Sequence, residues 1–191
     1  MLCNDIDMIL QLNRAFLTQI VERMRLFTTK TPISDIFLSF LPHFKMYTAY
    51  CCKHAQIVEM VTRLRGENKS FKSFLKKAEN HTKHRIGDFL IAPVQRVPRL
   101  ALLLESLLRF TDEIHPDYEA LKQALEEAQK AAAQINTKMK EVEVRTKVVQ
   151  IHKSFDPMLE DFLDGPLVQP HRVFVHEGVL ARKTGARAAD F

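Results

Sequence analysis

The chain has 191 residues, 46% of them apolar and 27% charged, with a formal net charge of +5. That is enough apolar material for one well-packed domain and part of a second, and it excludes a disordered or fibrous chain. Three cysteines, Cys3 and the adjacent Cys51 and Cys52, make no CxxC pair and no even framework, so neither a disulfide scaffold nor a zinc ribbon is encoded.

Reduced thiols in a cytosolic protein are the expectation. No apolar run approaches the roughly 18 residues of a membrane span, and the N-terminus lacks the basic-then-apolar order of a signal peptide. The basic excess suits an acidic protein, anionic lipid or nucleic acid. Its densest run, Lys69 to Arg85 with Lys72, Lys76, Lys77 and Lys83, has no stacking aromatics or groove-reading motif beside it, so it reads as a solvated helix face and no nucleic-acid partner is expected.

Only Gly66 and Gly87 fall before residue 160, and apolar residues recur there at helical spacing, so the first 160 residues are predicted to be mostly helical. The first helix is capped by Asn4 or Asp5, carries an inner face of Ile6, Ile9, Leu10, Leu17, Ile20, Val21 and Met24, and ends before Pro32. A second begins near Ser34, kinks at Pro42 and stops at Gly66. A shorter third holds Phe71, Phe74 and Leu75. The fourth runs from near Ile86 to Phe110. The last and longest runs from Pro116, at its first position, to about Phe155, with Tyr118, Leu121, Leu125, Ala128, Ala132, Ile135, Met139 and Val142 on one stripe. Asp156-Pro157 ends it, Asp164-Gly165-Pro166 makes a turn, and RVFVHEGVLARK (172–183) reads as strand.

The fourth helix is the anomaly. LIAPVQRVPRLALLLE (90–105) has two prolines, Pro93 and Pro98, and an interior proline costs a helix about 3 kcal/mol. Its core face is Leu90, Val94, Val97, Ala101, Leu104 and Leu108, while Gln95, Arg99 and Leu102 lie on a second face of mixed character. A partner-binding helix presents such a face, and so does an ordinary kinked helix with a snorkelling arginine.

PVQRVPR (93–99), preceded by FLI and followed by LLLESLLRFT, HPDYEALKQAL (115–125) and QIN (134–136), resembles the third conserved region of the Dbl-homology domain of Rho guanine-nucleotide exchange factors. FLSFLPHFKMYTAY (37–50) and FKSFLKKAE (71–79) are similar to the second region. The resemblance implies an all-α, elongated helical bundle over 1–157, followed over 158–191 by a linker and the first, β-rich strands of a pleckstrin-homology domain. It begins at the family's second helix. The helix with a glutamate that engages switch I has no counterpart here; the apolar surface it would cover is then exposed, and partial instability or self-association is expected. Leu100 stands where the family usually has tyrosine.

The implied activity is nucleotide exchange on a Rho-family small GTPase (Rac, Cdc42 or Rho), without bond chemistry, cofactor or metal. The implied site is Arg99 and, thirty-seven residues on, Asn136, both toward switch II. Gln95 and Arg96 belong to the same signature, as contacts or as hydrogen-bonding braces for loose backbone in the kinked helix. Ile91 matches a position that packs against the GTPase residue separating Rac from Cdc42, and isoleucine points to Rac. A full pleckstrin-homology domain would add phosphoinositide contact and recruit a cytoplasmic protein to the inner membrane surface. Two other clusters read as structural: Cys51, Cys52 and His54 diverge around one helical turn, and Asp112, Glu113, Asp117 and Glu119 suit the dipole of the helix that follows them.

Overall fold

The computed structural model describes residues 2–154, 167–169, 171–179, 181–184 and 187–190, with the side chains of 4–154, 167–169 and 171–179. Among the described residues six α-helices come first: α1 (Leu2–Arg25), α2 (Ser34–Phe40), α3 (Tyr47–Glu67), α4 (Lys69–Thr82), α5 (Ile86–Arg109) and α6 (Tyr118–Ser154). A 3-10 turn, Leu41–Met46, joins α2 to α3, and two short strands, β1 (Ala181–Thr184) and β2 (Arg187–Asp190), pair antiparallel with Ala181 opposite Asp190. No described helix is long and apolar enough to cross a membrane. The chain divides into two compact units, 1–140 and 141–191.

In the first unit α3 is the hub, packing on α1, α4 and α5. The core joins Phe37, Leu41 and Phe44 to Tyr47 and Tyr50 of α3, Val97, Leu100 and Leu104 of α5, and Leu121, Ala124 and Ala128 of α6. Its aromatic centre is Phe16, edge-on to Phe37 at 5.3 Å, with Phe44 and Tyr47 5.5 Å apart. Fully burying such side chains stabilises by about 1.5–3 kcal/mol each, enough to offset the strain of a broken helix. Pro42 sits in the first turn of the 3-10 segment, where a missing N–H is tolerated, so the expected kink is a tight turn between two helices. Asn68 caps α4 through its side-chain oxygen, which accepts the Phe71 N–H at 2.9 Å. Lys83 ends that helix with φ 61°, the left-handed conformation that closes a helix C-terminus.

Several expectations are corrected. The inner face of α1 is Ile9, Phe16 and Ile20 with Asn13, while Ile6, Leu10, Leu17, Val21 and Met24 stand 37–60% exposed. Two apolar stripes lie side by side on that helix, and the one carrying the phenylalanine faces the core. Asn4 and Asp5 lie inside α1 rather than before it; Asp5 is buried and accepts a hydrogen bond from Lys53 Nζ at 2.8 Å. Pro116 precedes the first helical residue by two, in the turn. Asp117 serves a different helix from the one expected. Its carboxylate accepts the backbone N–H groups of Ile33 (2.8 Å) and Ser34 (3.1 Å) and the Ser34 hydroxyl, capping the start of α2 from across the fold.

His115 locks the same junction. Its Nδ1 accepts the Asp117 N–H at 3.1 Å, which leaves the ring proton on Nε2 to be donated to the Thr29 carbonyl at 2.8 Å.

In the second unit, among the described residues of RVFVHEGVLARK, only the last three are in a strand. Residues 172–179 are not strand, and Val173, Val175 and Val179 are exposed. A strand needs a neighbouring backbone for its ladder, and among the described residues none pairs with this segment. It is tied instead to the end of α6, where Lys147 Nζ bonds Glu177 at 2.8 Å and lies over the Phe174 ring. The expected break at Asp156 and Pro157 and the turn at Asp164, Gly165 and Pro166 lie outside the described residues, as does Phe155.

Candidate functional site

The anomaly in α5 is where the first unit has its most distinctive hollow. Val94, Val97 and Pro98 on α5 face Ala132, Ala133, Ile135, Asn136 and Met139 on α6 across a groove of about 410 Å³. The small side chains at Ala131–Ala133 leave room that leucines would fill. Pro98 has no N–H, so the Val94 carbonyl lacks its helical donor, and both residues line the groove. One wall therefore brings a carbonyl without its helical donor, the other brings the Asn136 amide, and the floor is apolar.

The helix survives its prolines because it is deeply anchored beside the groove: Leu90, Leu100 and Leu104 are buried, and the Tyr50 hydroxyl donates to the Leu90 carbonyl at 2.8 Å. That bond falls one residue beyond Phe89, whose carbonyl loses its donor to Pro93. Burial is also what raises the Tyr50 phenol above its ordinary range.

The residues singled out in the sequence fall into two groups. Arg99 and Asn136 are exposed. Asn136 lines the groove; Arg99 follows Pro98 on its outer flank, where its guanidinium donates to Gln95 Oε1 at 2.6 Å. Leu102, 62% exposed, and Leu103 continue that surface along α5. Ile91 is half-buried at the other end of the same stripe, two helical turns before Arg99.

Arg96 turns inward. Its Nε donates to Asn13 Oδ1 at 3.3 Å, and Asn13 in turn bonds the Tyr47 hydroxyl at 2.6 Å, cross-linking α5 to α1 and α3. Neither of these bonds braces loose backbone: Gln95 accepts from Arg99 and Arg96 donates to Asn13, both side chains.

A second hollow of about 480 Å³ lies on the other flank of α6, lined by Thr48, Ala133, Gln134, Thr137 and Lys138. Sequence reasoning missed Thr48 and Lys138; the signal was the alanine run, which thins α6 on two sides at once. Cys51 is a core residue, and burial with Cys52 beside it pushes its thiol up to about 11, the reverse of what a metal-binding thiolate needs. Lys69, Lys72, Lys76 and Lys77 are exposed along α4.

The RhoGEF domain family model matches residues 1–136. The chain belongs to that family. Among curated relatives, this RhoGEF domain is 33% identical over 178 residues to "Guanine exchange factor for Rac 30" of Dictyostelium discoideum, covering 93% of this chain and 10% of that protein. It is 30% identical over 175 residues to the human "FYVE, RhoGEF and PH domain-containing protein 6", covering 90% of this chain and 12% of the relative. The chain thus spans about a tenth of the length of the curated relatives it matches.

Among solved structures, the N-terminally truncated linker-DH/PH domains of p115-RhoGEF superpose with a TM-score of 0.82 at 19% identity, over 96% of this chain and 59% of that one. The DH/PH domain of human ARHGEF11, in a ternary complex with human RhoA and its inhibitor, gives 0.80 at 19% identity, over 99% and 58%. The fold is the helical Dbl-homology bundle.

Proposed function

We propose that this RhoGEF domain is a guanine-nucleotide exchange factor that docks the switch regions of a Rho-family GTPase (Rac, Cdc42 or Rho) along the α5–α6 groove. The observation that carries this reading is the groove itself: Asn136 in one wall and the exposed Arg99 on the flank of the other. Relatives named as Rac exchange factors support it.

Arg99 supplies a planar fork of donors for carbonyls or a carboxylate of switch II, and Gln95 holds that fork in place until the partner arrives. Asn136 supplies a donor and an acceptor from the opposite wall. Ile91 extends the contact along α5, and Arg96 contributes by fixing α5 on α1. Exchange then follows from differential affinity alone. A surface that binds the nucleotide-free GTPase more tightly than the loaded form lowers the barrier to GDP release, and by linkage the incoming nucleotide weakens the grip and frees the exchange factor. Each 1.4 kcal/mol of that preference is worth about a factor of ten.

The test is release of a fluorescent GDP analogue from Rac, Cdc42 and Rho with catalytic amounts of this chain. Acceleration above the intrinsic rate that falls about ten-fold in Arg99→Ala and in Asn136→Ala supports the reading. Binding to the GTPase without acceleration would mark a non-catalytic scaffold and overturn it. We also assign 1–157 to the Dbl-homology domain and 158–191 to the opening of a pleckstrin-homology domain. The antiparallel pair β1–β2 motivates this. Co-sedimentation of a chain carrying that whole domain with phosphoinositide vesicles, and not with neutral ones, checks the lipid role.

A further inference from the structure

The charge of this chain is concentrated in one place. Residues 69–85 hold six basic side chains, Lys69, Lys72, Lys76, Lys77, Lys83 and Arg85, against a single acid, Glu79. That segment alone accounts for +5, the net charge of all 191 residues, so the rest of the chain is neutral as a set. Its one acid is engaged elsewhere: Glu79 pairs with Arg65 at 3.1 Å and accepts the Ile86 N–H at 3.3 Å. Among the described residues Lys69, Lys72, Lys76 and Lys77 have no ion-pair partner. Helix α4 packs on α3 through buried Leu75, with Phe71 and Ala78 half-buried beside it. At about 100° per residue the four lysines fan over less than half of the circumference, away from that seam. Phe74 stands at the edge of the fan, one turn before Lys77, and is 65% exposed, with only the small side chains of Ser70 and Ser73 on its lysine side. A lysine run by itself is a solvated face. A phenylalanine that protrudes among the lysines, while Phe71 and Leu75 turn inward, changes that reading.

We infer that the outer face of α4 is a docking surface for an anionic bilayer, with the lysines among the headgroups and Phe74 inserted at the boundary with the acyl chains. A helix lying in that interface is held by the two features α4 combines, electrostatic attraction to anionic lipid and burial of an apolar side chain. A nucleic acid or an acidic protein presents its charges in fixed places and is met by arginine forks. The fan on α4 holds only lysines, compact point charges on flexible stems, which suit a laterally mobile layer of headgroups. Lys83 and Arg85, both exposed, extend the charge past the end of the helix. None of these side chains lines the α5–α6 groove, so the docked chain keeps that groove open. The surface lies within the first unit, 1–140, and is separate from the lipid role assigned to 158–191.

Co-sedimentation of this chain with vesicles tests the surface, using phosphatidylcholine alone and phosphatidylcholine with phosphatidylserine at about two to one. The expected result is binding to the mixed vesicles and not to the neutral ones, lost as salt is raised to about 0.5 M. Lys76→Glu combined with Lys77→Glu lowers the affinity about thirty-fold, near five-fold for each lysine removed. Lys30→Glu combined with Lys122→Glu makes the same change in net charge at two exposed sites elsewhere and lowers it by less than about three-fold. Phe74→Ala lowers it about five-fold, through the lost insertion. All these side chains are exposed, so helical circular dichroism is unchanged in every variant. Equal binding to neutral vesicles overturns the inference, and so does a control pair that costs as much as the α4 pair. A chain that ignores the mixed vesicles overturns it as well, including one that binds a DNA duplex instead.

Discussion

Asp117→Ala is expected to be the most destabilising single change that touches no apolar side chain. The carboxylate is 2% exposed, and it accepts two backbone N–H groups from the start of α2 and the hydroxyl of Ser34, itself buried. Hydrogen bonds to a charged group are worth about 1.5–3 kcal/mol each, and loss of a helix cap about 0.5–2 kcal/mol. These values overlap, since water reaches the vacated site in part, so the expected loss is about 3 kcal/mol for alanine. Asparagine keeps one acceptor, and about half that loss follows. For a chain of this size the alanine figure corresponds to a melting temperature lower by about 6–12 °C. Urea unfolding followed by circular dichroism, with exposed Asp112→Asn as the control, measures it. A loss below about 1 kcal/mol for alanine, or equal losses for alanine and asparagine, would show that the cap across the fold carries little energy.

Further outcomes follow from other contacts. Arg99→Ala and Asn136→Ala are expected to leave stability within about 0.5 kcal/mol of the parent, as exposed side chains do, so a fall in nucleotide release in these variants with an unchanged urea midpoint separates binding from folding. Tyr50→Phe removes the bond to the Leu90 carbonyl and is expected to cost about 1 kcal/mol in the same urea assay. Cys51 is expected to resist iodoacetamide at pH 8 in the folded chain and to react on unfolding, because its buried thiol titrates near 11; mass mapping of the alkylated peptides reads this. The hydrogen bond from Arg23 holds the Asp35 carboxyl below the usual carboxylate range. Its contribution is therefore present above the unfolded carboxylate pKa and lost as pH falls through the lowered folded one. Being solvent-screened it is small, and Asp35→Asn should flatten the acid limb of a stability–pH curve only slightly.

Much of this architecture is written in local pattern. The helices over Ser34 to Gly66, Ile86 to Phe110 and from Tyr118 onward follow from three- and four-residue apolar spacing, because burial of one stripe is a property of the segment. The special status of PVQRVPR was equally readable, since two prolines in an aliphatic helix cost too much to be incidental. Arg99 and Asn136 were likewise named from sequence, by their place in a motif.

What the sequence alone determined is which segments are helical and which stretch is exceptional. Only the tertiary structure decided which of two apolar stripes on α1 faces inward, that Asp117 caps a helix more than eighty residues earlier in the chain, and that Arg96 turns inward to Asn13 while its neighbour Gln95 holds Arg99. Periodicity fixes a direction around a helix axis, but the neighbour found in that direction is set by how distant segments meet. A packed core fills that space once, with whichever side chains fit best.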